Sequence, residues 1–305
     1  MNQIYLSGGC TEDPAEQERL FHEQLKNADA VLIGAGAGLS TAAGFDYSGP
    51  VFARWFADFI ARFGIRDQYS GGFYPFPDQE TFWAWWSRAI YLNRYLDPPK
   101  PVYPALYRLV RDSNYFVLTT NVDHQFQKAG FAKDRLFYTQ GDYGLFQSVT
   151  PKIQKTYDNE ESVLRMLEAQ GFARNDEGIF EPPEDLDRLS MRIPTSLIPI
   201  CPDDGSAMTT NLRIDGNFVQ DEGWYAAQRR YHEFLDRHED DHILYLELGV
   251  GMNTPGIIKI PFWQRVDQNP NSFFVTINQG DAACPSQIAD RAVCINRDIG
   301  KVLGV

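Results

Sequence analysis

Several short runs of this chain are apolar at most positions rather than at every second one. AVLIG starts at Ala30, and YFVLTT (115–120), RLFY (135–138), ILYLEL (243–248), FFVTIN (273–278) and the weaker AVCI (292–295) follow. A strand with no polar face has no side to offer water, so these runs predict a parallel sheet covered by helices on both faces. The helical pattern appears between them. Residues 14–29 open with Asp13 and Pro14, an N-cap acid followed by proline in the first turn, and set Leu20, Phe21 and Leu25 on an inward face.

Two stretches break this rhythm. Residues 51–99 hold TFWAWWSRAIYLNRYL, whose Trp83, Trp86 and Ile90 recur at helical spacing, and they read as a helical insertion. Residues 151–239 are more charged, contain EPPEDLD and CPDDGS, and show no strong strand before Ile243. The expected architecture is therefore α/β. A Rossmann-like sheet domain is assembled from 1–50, 100–150 and 240–305, and a smaller module over 151–239 interrupts it.

Composition narrows the partners. A chain of 305 residues that is 43% hydrophobic can build a full core, and its formal charge of -13 repels nucleic-acid backbones and anionic membranes. The start, MNQIYLSGGCTEDPAEQ, lacks the basic and apolar regions of a secretory signal, and no stretch reaches the ~20 apolar residues of a spanning helix. The expected location is the cytoplasm, with no nucleic-acid or membrane partner. Cys10, Cys201, Cys284 and Cys294 form no C-x-x-C pair and read as buried free thiols.

Candidate chemistry gathers where strands end. GAGAGLS (34–40) follows the first strand, and its glycines either let a pyrophosphate approach the backbone or ease strand-to-helix packing; its spacing is not that of a dehydrogenase fingerprint. In TTNVDHQFQKAGF (119–131), Asn121 and Asp123 either face a ligand crevice or cap the next helix. ELGVGMNTPG (247–256) adds a glycine turn containing Gly249, Gly251 and Asn253, and TINQGD (276–281) places Asn278 and Gln279 where a ribose binds. The elbow FYTQGDYG (137–144) carries Gln140, an amide with no useful pKa, at a place suited to a base. His238 to His242 matches the zinc-protease pattern H-E-x-x-H, but a strand follows directly, which denies it the helix that would align both imidazoles.

These residues, in this order, resemble the sirtuin family. Gly36, Ala37, Gly38, Leu39 and Ser40, followed by Gly44 and Phe45, match its glycine motif; Thr119 to Asp123 match its T-Q-N-x-D motif; Gly249 to Pro255 and Ile277-Asn278 match its later strand ends. The resemblance implies a Rossmann-like NAD-binding domain and cleavage of NAD+ at the nicotinamide bond, with Asn121, Asp123 and Gln140 catalytic. It also implies that Gly36, Ala37, Gly38, Ser40, Asp46, Tyr47, Gly249, Gly251, Asn253, Asn278 and Gln279 join those three in binding the cofactor.

The departures carry as much as the matches. Gln140-Gly141 stands where sirtuins have a histidine that acts as general base in deacylation, and Asp46-Tyr47-Ser48 replaces the usual segment after the glycine motif. The small module lacks the two C-x-x-C pairs that hold zinc, since Asp204 takes the second position beside Cys201, so no zinc is expected. Together these features resemble the class M sirtuins of microbes. That branch implies protein mono-ADP-ribosyltransfer to a lipoylated carrier related to the glycine-cleavage H protein, a functionally linked macrodomain hydrolase and a tie to oxidative stress. The other readings open at this point are a non-catalytic NAD sensor and an NAD hydrolase or weak deacylase.

Overall fold

The computed structural model describes residues 5–150, 152–252 and 255–305 of the chain, so Asn253 lies outside the described residues. The chain divides into two compact units. One comprises the segment ending at Gly44, Pro98–Gln140 and the segment from Glu222 onward; the other comprises Phe45–Asp97 and Gly141–Asp221.

The first unit is built on a parallel sheet. Its strands are β1 (Ala30–Ala35), β2 (Tyr115–Thr119), β3 (Leu136–Tyr138), β4 (Ile243–Leu248), β5 (Phe273–Ile277) and β6 (Ala292–Ile295), in the spatial order β3-β2-β1-β4-β5-β6. Every neighbouring pair is parallel, and β1, β2 and β4 are buried at every position, as their largely apolar runs require.

Helices α1 (Pro14–Asn27), α2 (Ala37–Ala42), α3 (Val102–Val110), α4 (Gln125–Lys128), α5 (Glu222–Arg237) and α6 (Lys259–Gln268) belong to the same unit. The predicted start of α1 is present, with Asp13 accepting the Ala15 N–H at 3.0 Å. Helix α6 sits close because β1 has no side chain at Gly34: a Cβ there would lie 2.4 Å from Ile258 and 2.6 Å from Phe262. Helix α5 falls within the stretch that reads, by its charge, as part of the small module. Its Tyr231 and Phe234 pack on Phe116 of β2, and Tyr231 also meets Phe137 of β3, so the sheet unit resumes at residue 222 rather than near 240.

The second unit joins the segment read as a helical insertion to the one read as a separate module. The strand Gly141–Ser148 pairs antiparallel with both Thr156–Asp158 and Met208–Leu212, strands that the charged sequence conceals. Trp83, Trp85 and Trp86 of the helix Gln79–Ile90 are all buried there. Arg88, on the same helix, is fully buried. It forms a two-pronged pair with Asp58 at 2.6 and 2.8 Å, donates to Gln170 and to the carbonyls of Trp55 and Ser190, and lies over the Phe59 and Phe172 rings. One guanidinium thus ties together four segments that sequence distance keeps apart.

Cys201 of this unit is buried, with its sulfur 3.5 Å from the Tyr157 hydroxyl. Asp204 accepts hydrogen bonds from the Ser206 N–H and hydroxyl. Among the described residues no three His, Cys, Asp or Glu side chains are grouped to hold a metal ion, and no helix is long and apolar enough to cross a membrane.

Candidate functional site

In an open parallel sheet the ligand crevice lies at the carboxyl ends of the two adjacent strands from which the chain departs in opposite directions. Here those strands are β1 and β4, which end at Ala35 and Leu248. Both run into glycine loops, and the loops close on each other. Gly36 N–H donates to the Leu248 carbonyl at 3.0 Å, Gly38 N–H to Gly249 at 2.9 Å, and Gly249 N–H to Ile277 of β5 at 3.0 Å.

Glycine is required at these positions for a reason the motif alone does not reveal. A Cβ on Gly36 or Gly38 would lie 2.7 Å from Gly249 backbone atoms, and one on Gly249, whose φ is +62°, would lie 2.4 Å from the Leu39 nitrogen. Space opens only beyond this junction: Ala37 and Gly251 are exposed, and a Cβ on Gly251 would meet nothing within 4 Å.

Beside the junction, three elements converge on a polar cluster. Helix α2 brings Ser40, the first turn of α3 brings Tyr103, and the turn after β2 brings Asn121 and Asp123. The Asn121 amide nitrogen is 3.0 Å from the Gly36 carbonyl, 3.1 Å from Ser40 Oγ and 3.2 Å from the Tyr103 hydroxyl. Ser40 Oγ lies 2.8 Å from that hydroxyl and donates to Asp123 Oδ2, which the hydroxyl also approaches at 3.4 Å. Asp123 Oδ1 accepts the Gln125 N–H that opens α4, so the capping reading of Asp123 is met.

Tyr103 is buried, and its phenol is held well above the ordinary tyrosine range by that burial and by the Asp123 carboxylate. It therefore remains a hydrogen-bond donor at any physiological pH. No motif marks it. Its only sequence trace is an aromatic residue between two prolines at the start of a helix, which reads as ordinary packing. His124, directly after Asp123, adopts φ 63°, the one positive φ of a non-glycine residue among those described, and thereby turns the chain into α4.

The elbow is anchored to the same edge. Thr139 N–H donates to the Thr119 carbonyl at 3.0 Å and Trp224 Nε1 to the Thr139 carbonyl at 3.2 Å, which fixes half-buried Gln140 next to the end of β2. Gly141 follows at φ +99°, a conformation that explains its glycine. On the far side, Asn278 turns its amide toward the Val250 carbonyl at 3.3 Å, bracing the second glycine loop, while Gln279 is exposed.

Asp46 and Tyr47 are exposed residues of the second unit, where Asp46 accepts the Ser48 N–H. The His238 and His242 imidazoles have separate partners: His238 holds Asp241 and Asn114, and His242 holds Gln24. Helix α5 ends at Arg237, before either of them.

No family model matches the chain. It is 33% identical over 294 residues to a protein ADP-ribosyltransferase of Staphylococcus aureus, a match that covers 96% of this chain and 87% of that protein. A probable bifunctional ADP-ribose hydrolase/ADP-ribosyltransferase of Fusarium oxysporum f. sp. cubense is 29% identical over 296 residues, 93% of this chain and 46% of that larger protein. Among solved structures, a Sir2 homologue in complex with NAD superposes with a TM-score of 0.60 at 15% identity, covering 98% of this chain and 94% of its own. A sirtuin solved to explain substrate affinity gives 0.58 at 18% identity, covering 93% and 94%. The chain thus belongs to the protein ADP-ribosyltransferase family and is built on the sirtuin fold.

Proposed function

We propose that the protein cleaves NAD+ at the nicotinamide bond and passes the ADP-ribosyl group to a protein acceptor. The observation that carries this reading is the Ser40–Tyr103–Asn121–Asp123 cluster at the switch point, beside an elbow that carries Gln140 in place of a titratable side chain. The loops suit a dinucleotide because they meet backbone to backbone and leave room at Ala37 and Gly251.

In the reaction the C1′–N bond breaks, nicotinamide leaves with the electron pair, and an acceptor nucleophile closes on the positive sugar carbon. The protein supplies position and charge rather than a proton acceptor. With its amide nitrogen held by Gly36, Ser40 and Tyr103, Asn121 offers its carbonyl oxygen to a ribose hydroxyl or to the developing cation. Asp123 adds a buried negative charge on the same side. Gln140 donates and accepts hydrogen bonds but takes no proton, and that favours transfer over a deacylation cycle that needs a base.

The acceptor in this reading is a lipoylated carrier related to the glycine-cleavage H protein, acting in the cytoplasm under oxidative stress, with a macrodomain hydrolase to remove the mark. The fungal relative, named for both a hydrolase and a transferase, supports the pairing of the two activities. Asp46, Tyr47, Asn253, Asn278 and Gln279 complete the proposed cofactor contacts. The test is incubation with labelled NAD+ and carrier protein, with and without its lipoyl group, beside Asn121→Ala and Gln140→Ala. Label on the lipoylated carrier that needs both residues is expected; bound NAD+ with neither nicotinamide release nor transfer sinks the reading.

A further inference from the structure

Three of the four cysteines gather at the opposite edge of the sheet unit, although the sequence scatters them. Cys284 precedes a short 3-10 turn, Ser286–Arg291, and Cys294 lies in β6 directly after it. Both are buried, and their sulfurs lie 3.7 and 3.9 Å from one atom, the Ser7 carbonyl oxygen. Both thiols donate to that one carbonyl, which brings the two side chains together. Cys10 stands nearby on the exposed side, its N–H on the Ala292 carbonyl.

The surroundings suit sulfur chemistry. Cys284 is held below the usual thiol range by the neighbouring Cys294 thiol, with help from the Gly9 N–H, whereas Cys294 is pushed far above it by Cys284 beside it and by burial. Two thiols gathered on one acceptor, one of them easier to ionise than the other, are the two halves of a disulfide-forming pair. Their cover is slight. The strand Leu6–Ser7 lies over Cys284–Pro285 with a two-residue register, extended by Ser286 N–H to the Tyr5 carbonyl, and a strand so short opens locally at low cost.

We propose that Cys284 and Cys294 form an oxidisable dithiol, a modification site outside the ADP-ribosyl site, whose oxidant is a small peroxide. The Cys284 thiolate attacks the peroxide: an S–O bond forms, the O–O bond breaks, and the departing alkoxide or hydroxide takes up a proton. Cys294 then attacks the sulfenic acid on Cys284; the S–S bond forms, the S–O bond breaks, and water leaves with the Cys294 proton. Two thiols lose two hydrogens, and the peroxide is reduced to an alcohol, or water, plus a second water. Cys294 immediately precedes Ile295, whose carbonyl holds the Asn278 N–H, so the cross-link forms beside the turn that ends β5.

Trypsin makes this directly readable, because Arg291 separates the two cysteines into peptides 266–291 and 292–297. The full chain is treated with hydrogen peroxide, alkylated, digested and analysed without reduction. Alkylatable thiols should fall from four to two, and the two peptides should run as one linked species that dithiothreitol separates. In Cys10→Ser the same linkage should form, and in Cys294→Ser oxidation should stop at a sulfenic acid on Cys284 that dimedone traps. Melting curves of the reduced variants establish that each is folded. Recovery of both peptides separately and fully alkylated, at a peroxide dose that oxidises Cys10, overturns the proposal; so does a linked species joining Cys10 to either of them.

Discussion

Tyr103 shows how much of a site can rest on a residue with no chemistry of its own to advertise. Its hydroxyl meets Ser40, Asn121 and Asp123, and burial keeps it protonated, so it acts by holding the other groups in place. Tyr103→Phe removes one oxygen and leaves the ring among its neighbours. A hydrogen bond to a charged group contributes about 1.5–3 kcal/mol, so the transfer rate is expected to fall by about one to two orders of magnitude. If the residue positions Asn121 and Asp123 as inferred, the loss will appear in kcat with KM for NAD+ little changed and the melting midpoint close to wild type. A rate that stays level, or falls only in step with lost folded protein, would reduce Tyr103 to packing.

The same contrast between marked and unmarked residues runs through the elements. Strands β1, β2, β4, β5 and β6 are legible because a strand buried on both faces must be largely apolar, and Asn121, Asp123 and the glycines stand at their ends where motifs are read. The antiparallel strands of the second unit are not, since Thr156–Asp158 is partly exposed and Met208–Leu212 mixes Thr and Asn into its buried positions. Helix α5 reads as part of the small module because its charged face dominates the composition, while Tyr231 and Phe234 bind it to the sheet.

Even the legible glycines carry a meaning that sequence cannot separate, loop closure or cofactor approach, and substitution can tell the two apart. Gly249→Ala must adopt φ +62°, which costs about 1–2 kcal/mol for an L residue, and must also push its methyl against Leu39 backbone that has no side chain to swing away. Differential scanning calorimetry should therefore show a lowered melting midpoint together with weaker NAD+ binding. Gly251→Ala meets open space, so it should leave stability unchanged and alter binding alone. Equal midpoints for the two variants would mean that the loops do not need their close backbone approach.

At the scale of the whole molecule, buried phenols set a limit on alkaline stability. Burial pushes Tyr231 up to about 12 against an ordinary value of 10.0, and it raises Tyr103 and Tyr245 as well. Between those values the unfolded chain has released the proton that the folded chain still binds, so the unfolded state binds fewer protons and the free energy of unfolding falls as pH rises. The contribution is intact below pH 10 and is lost between about 10 and 12 for Tyr231, at roughly 1.4 kcal/mol for each pH unit crossed. Urea unfolding followed from about pH 8 to about pH 11.5 should accordingly hold steady and then decline. The formal charge of -13 also grows more negative over this range and adds self-repulsion, which salt screens. Tyr231→Phe separates the two: measured in high salt, it should flatten the decline relative to wild type, because phenylalanine has no proton to lose in either state. A decline of equal steepness in both proteins would place the alkaline weakness in the overall charge and not in the aromatic packing of α5 on the sheet.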